Sequence, residues 1–221
     1  MTRQFEGYVF IVTYGRSGST LVQTLLQSIN GYFIRGENAN SLLPLFRSAS
    51  RIATARVEHG YREIEEKGPW YGINNVDPES YANKLIDVFL DEIIQPPEDA
   101  RVIGFKEIRF HEANGGEFER YLNFIAKHFA PAKFIFNRRN WRDVSRSGWW
   151  KNCDPEMVRE TVLEADGLFD AYVNKYPDQC FVAQYEDYLD NPEYWRSMFE
   201  FLGEVYDPVK VKQLCTRQLK H

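Results

Sequence analysis

One stretch near the amino terminus limits the fold most strongly. Tyr8-Val9-Phe10-Ile11-Val12-Thr13-Tyr14 is an apolar run of β-branched and aromatic residues, and it leads directly into Gly15-Arg16-Ser17-Gly18-Ser19-Thr20. Leu21, Leu25, Leu26 and Ile29 then recur at helical spacing. The pattern predicts a strand, a tight loop and a helix. A helix that opens from such a loop presents unpaired backbone N–H groups and the positive end of its dipole to an anion. Ser17, Ser19 and Thr20 add hydroxyl donors, and Arg16 adds a charged fork. The expectation is a cradle for phosphate or sulfate, with an ordinary capped βα turn as the alternative.

The rest of the chain alternates in the same way. Short apolar runs predict strands at residues 32–35, 101–108, 133–137 and 180–185. Helical spacing is read at 41–66, at 80–94 with Leu85, Val88, Phe89 and Ile93 on one face, and at 118–129. Further helices are expected through Val144, Ser147 and Trp150, and at 155–176, 192–202 and 208–219. Alternation of this kind predicts an α/β protein with a largely parallel central sheet. Ligands of such sheets sit beyond the carboxyl ends of the strands. Arg16, Glu37, Lys106 and Arg139 all fall at such ends, so they are expected to share one site.

Bulk properties narrow the function classes. The 221 residues suit one domain, or a domain with an inserted lobe. Net charge is −5 and no basic block is present, which argues against a nucleic-acid partner. An anionic ligand must therefore meet a local cluster of cations. Cys153, Cys180 and Cys215 are scattered, with no Cys-x-x-Cys, so a reduced cytoplasmic chain without a zinc site is expected. No signal peptide or membrane span is expected either. Aromatic residues are plentiful at 15%, and Trp70, Tyr71, Trp149 and Trp150 are candidates for pocket walls. Tyr185 reads as core or as a wall near the loop.

The loop is not the phosphate loop of a metal-dependent kinase. It lacks the Lys before the hydroxyl residue, and no strand ends in a lone Asp suited to Mg²⁺. Thr13-Tyr14-Gly15-Arg16-Ser17-Gly18-Ser19-Thr20-Leu21 instead resembles the 5′-phosphosulfate loop of sulfotransferases, which use 3′-phosphoadenosine 5′-phosphosulfate. Phe134-Ile135-Phe136-Asn137-Arg138-Arg139, continuing to Ser147, resembles the family's 3′-phosphate motif, an Arg at a strand end and a Ser eight residues later. Gln184-Tyr185-Glu186-Asp187-Tyr188-Leu189, with Pro192 and Phe201-Leu202-Gly203, resembles the family's carboxyl-terminal ending. Three such motifs in order, each after an apolar strand, make a specific signal.

The resemblance implies a three-layer α/β/α domain with a P-loop-like phosphosulfate-binding loop. Helical lobes around 38–98 and 149–177 would shape the acceptor pocket. It implies that Arg16, Ser17, Gly18, Ser19 and Thr20 hold the 5′ end of the donor and that Arg139 and Ser147 hold the 3′-phosphate. It implies transfer to a hydroxyl or amine of a small molecule or carbohydrate, release of 3′,5′-adenosine bisphosphate, and no metal. A homodimer is open. Lys106 reads either as a solvated strand-end charge or as a cation aimed at the sulfuryl group. Glu37, twenty-one residues past Arg16, resembles the catalytic Glu of some branches. Glu107 and His111 are the other base candidates, and Trp70, Tyr71 and Trp149 the acceptor contacts. Lys212, Arg217 or Lys220 would stand in for the family's carboxyl-terminal basic residue. A kinase of a nucleotide or small molecule is the alternative reading.

Overall fold

The computed structural model describes residues 4–218, the last two as backbone only. The chain divides into two compact units, Met1–Ala39 with Pro96–His221, and Asn40–Gln95. Residues 149–177 belong to the first.

The first unit is built on β1 (Gly7–Val12), β2 (Tyr32–Arg35), β3 (Val102–Glu107), β4 (Ala132–Arg138) and β5 (Cys180–Gln184). The sheet order is β2-β3-β1-β4-β5, and every pairing is parallel. β1 sits at the centre because it is apolar on both faces. The chain leaves β1 for the sheet edge, returns beside it as β3, and then places β4 on its other side. This reversal opens a crevice at the carboxyl end of β1, where ligands of open α/β sheets bind.

Alternation along the strands makes two unlike faces. Val9, Ile11, Ile135 and Ala183 pack with α1 (Ser19–Gln27) and with residues near the carboxyl terminus. The opposite face is aromatic. Phe10 meets Phe105 at 5.1 Å and Phe134 at 5.6 Å between ring centroids.

The second unit lies between β2 and β3 in sequence. It holds α2 (Leu42–His59) and α3 (Pro78–Val88). The helix expected over 41–66 ends at His59, where Gly60 closes it. The helix expected over 80–94 starts earlier, because the Asp77 side chain accepts the Glu79 and Ser80 N–H groups and Pro78 follows. It then widens into a π-helix over Phe89–Ile94. The extra residue per turn rotates the buried stripe. Phe89 and Ile94 are buried, whereas Val88 and Ile93 are exposed, contrary to the expected face.

Back in the first unit, α4 (Gly116–His128) and α6 (Pro155–Lys175) cover the aromatic face. Between them, α5 (Trp141–Ser145) is short. The single helix expected through Val144, Ser147 and Trp150 is broken. Ser147 is extended, Gly148 has φ 55°, and a 3-10 turn covers Gly148–Asn152. α7 (Tyr185–Tyr188) opens on Tyr185, which therefore lies one residue past β5. The helix expected from Pro192 begins as a 3-10 turn and becomes α8 (Trp195–Leu202), closed by left-handed Gly203. α9 (Pro208–Gln218) ends the described chain, and Leu219 and Lys220 lie outside it.

Candidate active site

The loop between β1 and α1 is braced from beneath. Thr13 and Ser17 are fully buried, with their hydroxyl oxygens 2.6 Å apart. The Thr13 hydroxyl donates to the Asn137 carbonyl at 2.7 Å, so it accepts the Ser17 proton. Asn137 alternates with Phe136 on β4 and therefore faces the loop. Its Nδ2 donates to the Ser17 carbonyl at 2.8 Å, and Tyr188 Oη donates to its Oδ1 at 2.9 Å. The Ser17 hydroxyl is thus committed inward. Gly18 stands at φ 87°, and a Cβ there would come within 2.7 Å of the Tyr188 hydroxyl and overlap the Tyr185 ring. Only glycine meets both demands without strain.

The corner after β4 is tied to this loop. Tyr14 Oη donates to the Arg139 carbonyl and accepts its N–H, both at 2.9 Å. Arg139 Nη1 donates to the Arg16 carbonyl at 3.1 Å, and its guanidinium lies 4.1 Å over the Tyr185 ring. Arg16 Nε donates to Ser147 Oγ at 3.0 Å. Gly148 leaves room for this contact, since a Cβ there would come within 2.7 Å of the Arg16 side chain. Trp150 Nε1 donates to the Gly15 carbonyl at 3.1 Å. Arg138, on the other face of β4, turns away toward α6. It pairs with Asp170 at 2.8 Å and approaches Asp166 at 3.8 Å. Arg138 thus leaves the loop side to Arg139, as the spacing of Arg139 to Ser147 suggested.

A cavity of about 340 Å³ lies in front of the loop. Arg16, Gly18, Ser19, Thr20, Glu37, Lys106, Arg139, Trp149 and Tyr185 are among its lining residues. Lys106 is 8% exposed, and its Nζ donates to Glu37 Oε1 at 2.8 Å. The cavity wall therefore carries Arg16, Lys106 and Arg139 against the carboxylate of Glu37, a positive site on a chain of net charge −5. Glu107 points to the other face of the sheet and is fully buried. His111 does not line the cavity, and burial pushes its imidazole below the usual range. Trp70 and Tyr71 belong to the second unit, where Trp70 stacks on His59 with ring centroids 4.1 Å apart. Lys212 lines a different cavity with Pro192 and Glu193. Among the described residues no helix is long and apolar enough to cross a membrane, and no group of three His, Cys, Asp or Glu is placed to hold a metal.

A family model described as the sulfotransferase family matches residues 8–208. The chain belongs to the sulfotransferase family. The reaction type of that family is transfer of a sulfuryl group from 3′-phosphoadenosine 5′-phosphosulfate, and the kinase alternative gives way to it. No curated protein matches the chain. Among solved structures, the chain is similar to the sulfotransferase STF9 from Mycobacterium avium, at 14% identity and TM-score 0.49 over 99% of this chain and 69% of that one. It is similar to a sulfotransferase from Alicyclobacillus acidocaldarius at 15% identity and TM-score 0.47, over 92% and 83%. It is also similar to thymidylate kinase from Candida albicans at 11% identity and TM-score 0.41, over 81% and 83%. The family assignment rests on the sequence match, not on these distant likenesses.

Within this sulfotransferase-family site, the motif residues on β1 and β4 and the strand-end Glu37 and Lys106 line or adjoin one cavity. Asn137, Tyr14 and Tyr188 were not singled out from the sequence. A lone polar residue within the apolar run of β4 was the one available signal for Asn137, since a buried amide needs partners.

Proposed function

We propose that this chain moves a sulfuryl group from 3′-phosphoadenosine 5′-phosphosulfate to a hydroxyl, or an amine, of a small-molecule or carbohydrate acceptor, with Glu37 as general base. The observation that carries this reading is the Lys106–Glu37 pair, 2.8 Å apart, lining the same cavity as Arg16, the start of α1 and Arg139.

The residues fit such a donor. Arg139 Nε is buried without a hydrogen-bond partner. Ser147 Oγ accepts from Arg16 and keeps its own proton to donate. The first turn of α1 carries no acidic residue, so its N–H groups face an anion unopposed. When bound, the donor supplies an activated sulfuryl group on a phosphate leaving group. Arg16 and the backbone of Ser17 to Thr20 form a P-loop-like cradle for the 5′ end. Arg139 and Ser147 grip the 3′-phosphate, with Tyr185 stacked beneath the guanidinium. Lys106 offers its ammonium to the sulfuryl oxygens. Glu37 accepts the acceptor's proton as its oxygen attacks the sulfur: the O–H bond and the bond between sulfur and the 5′-phosphate oxygen break, the new O–S bond forms, and 3′,5′-adenosine bisphosphate leaves. Arg16, Lys106 and Arg139 supply the positive charge, and no metal is invoked. Trp149, exposed at the cavity wall, is assigned to acceptor contact.

The test is to incubate the protein with radiolabelled donor and a cell extract and identify the labelled product. A sulfated small molecule or carbohydrate is expected, and Glu37→Gln should slow labelling by about 10²-fold or more. Labelling that persists at the wild-type rate in Glu37→Gln overturns the base assignment. No transfer to any acceptor overturns the reading.

A further inference from the structure

β3 ends in two ionisable residues that point to opposite faces, and both reach the segment after β2. Lys106, on the cavity side, holds the Glu37 carboxylate. Glu107 faces the other way and is fully buried. Its Oε2 accepts the Asn38 N–H at 3.0 Å. Its Oε1 accepts the N–H groups of Ile108 at 2.8 Å and Arg109 at 3.1 Å. The Arg109 guanidinium approaches Oε1 at 3.7 Å.

These contacts follow from the register. β2 and β3 are parallel with Arg35 opposite Phe105, so the residues just past each strand end run side by side. Glu37 and Asn38 come down beside Lys106 and Glu107. Successive side chains of β3 then reach the same short segment from opposite faces. A carboxylate accepts and does not donate, so it suits a set of converging N–H groups. Charge-assisted bonds of this kind are about twice as strong as neutral ones.

We propose that Glu107 is a positioning residue for Glu37. It pins the peptide that follows Glu37 from one face of β3, while Lys106 orients the Glu37 side chain from the other. The inference rests on the reading of Glu37 as the base. Its consequence is kinetic, since a displacement of about 1 Å from the productive geometry costs on the order of 10²-fold in rate. Glu107, a base candidate by sequence, thus acts through Glu37 without touching the reacting atoms.

The test uses Glu107→Gln, which keeps the shape but sets an amide N–H₂ against backbone N–H groups. The rate of label transfer from radiolabelled donor to extract acceptors should fall at least tenfold. The donor KM and the thermal shift given by 3′,5′-adenosine bisphosphate should stay within twofold of wild type. In the Glu37→Gln background the same substitution should cost less than about threefold, because residues acting as a unit are not additive. A wild-type rate in Glu107→Gln, loss of bisphosphate binding, or full multiplication of the two effects overturns the proposal. If Glu37→Gln alone keeps full turnover, the base reading fails instead. Amide hydrogen exchange on the unmodified protein gives a second measurement. The Asn38 N–H should exchange at least 100-fold more slowly than a free amide, and an unprotected Asn38 contradicts the brace.

Discussion

The two strands that flank the cavity end in different ways. β1 turns into α1 through a loop that carries one local brace, Thr13 to Ser17, four residues apart, and is tied from beneath to Asn137 of β4. β4 runs into a corner assembled from distant parts. Arg139 takes its backbone bond from Tyr14, 125 residues away, and its guanidinium bond from Arg16, 123 residues away. Ser147 meets Arg16 across 131 residues. The corner is held by the loop through these three contacts. The loop draws on β4 chiefly through Asn137, which lies inside the strand. Damage to the loop should therefore reach both halves of the proposed donor site, whereas loss of the Arg139 side chain, which leaves the Tyr14 and Asn137 bonds in place, should have a smaller effect.

The largest effect is expected from the loop. Gly18→Ala places a Cβ against Tyr185 and Tyr188 at φ 87°. The strain of about 1–2 kcal/mol for the left-handed backbone adds to the overlap. Affinity for 3′,5′-adenosine bisphosphate by calorimetry should fall more than 100-fold, with a lower melting temperature. Wild-type affinity in Gly18→Ala breaks the asymmetry. Arg139→Ala should cost less. It removes a charged donor worth about 1.5–3 kcal/mol, so affinity should fall roughly tenfold to 100-fold. The melting temperature without ligand should move by no more than about 2 °C, because the Tyr14 bonds are to the backbone. A large loss of stability would show that the corner also supports the loop.

The smallest effect is a pH slope behind the corner. Burial raises the Asp166 carboxyl from 3.8 to about 6, with Arg138 opposing the shift. The folded protein therefore binds this proton more tightly than the unfolded chain does. Stability should fall as pH rises from about 4 to about 6 on this account. Asp166→Asn should flatten that part of the stability profile measured by urea unfolding. An unchanged slope would show that Asp166 does not titrate there.

The same contrast explains what was legible in the sequence. The strands were readable because each is a short apolar run, and the β1 loop because its glycines, hydroxyls and Arg16 are contiguous. The separation of Lys106 from Glu107 followed from strand alternation alone. The break at Ser147 was missed because Val144, Ser147 and Trp150 keep helical spacing, although Gly148, which takes φ 55°, was a local signal for it. The brace formed by Asn137 and Tyr188 was hidden because its partners lie far apart in sequence. In the second unit the π-helix defeated a periodic reading of Ile93, because one inserted residue moves burial to Ile94, whereas Val88 precedes it and is exposed because the buried α-helical stripe runs through Ala82, Ile86 and Phe89.

The central claim is that the β1 loop and the β4 corner together hold a nucleotide carrying both a 5′- and a 3′-phosphate. Thermal unfolding with 3′,5′-adenosine bisphosphate, compared with ATP plus Mg²⁺, tests it most directly. A ligand at 100 times its Kd adds about 2.7 kcal/mol. For a chain of this size that is a rise of roughly 5–10 °C. The account predicts such a rise with the bisphosphate, most of it lost in Arg139→Ala, and a smaller one with ATP. Stabilisation by ATP plus Mg²⁺ and none by the bisphosphate would contradict it.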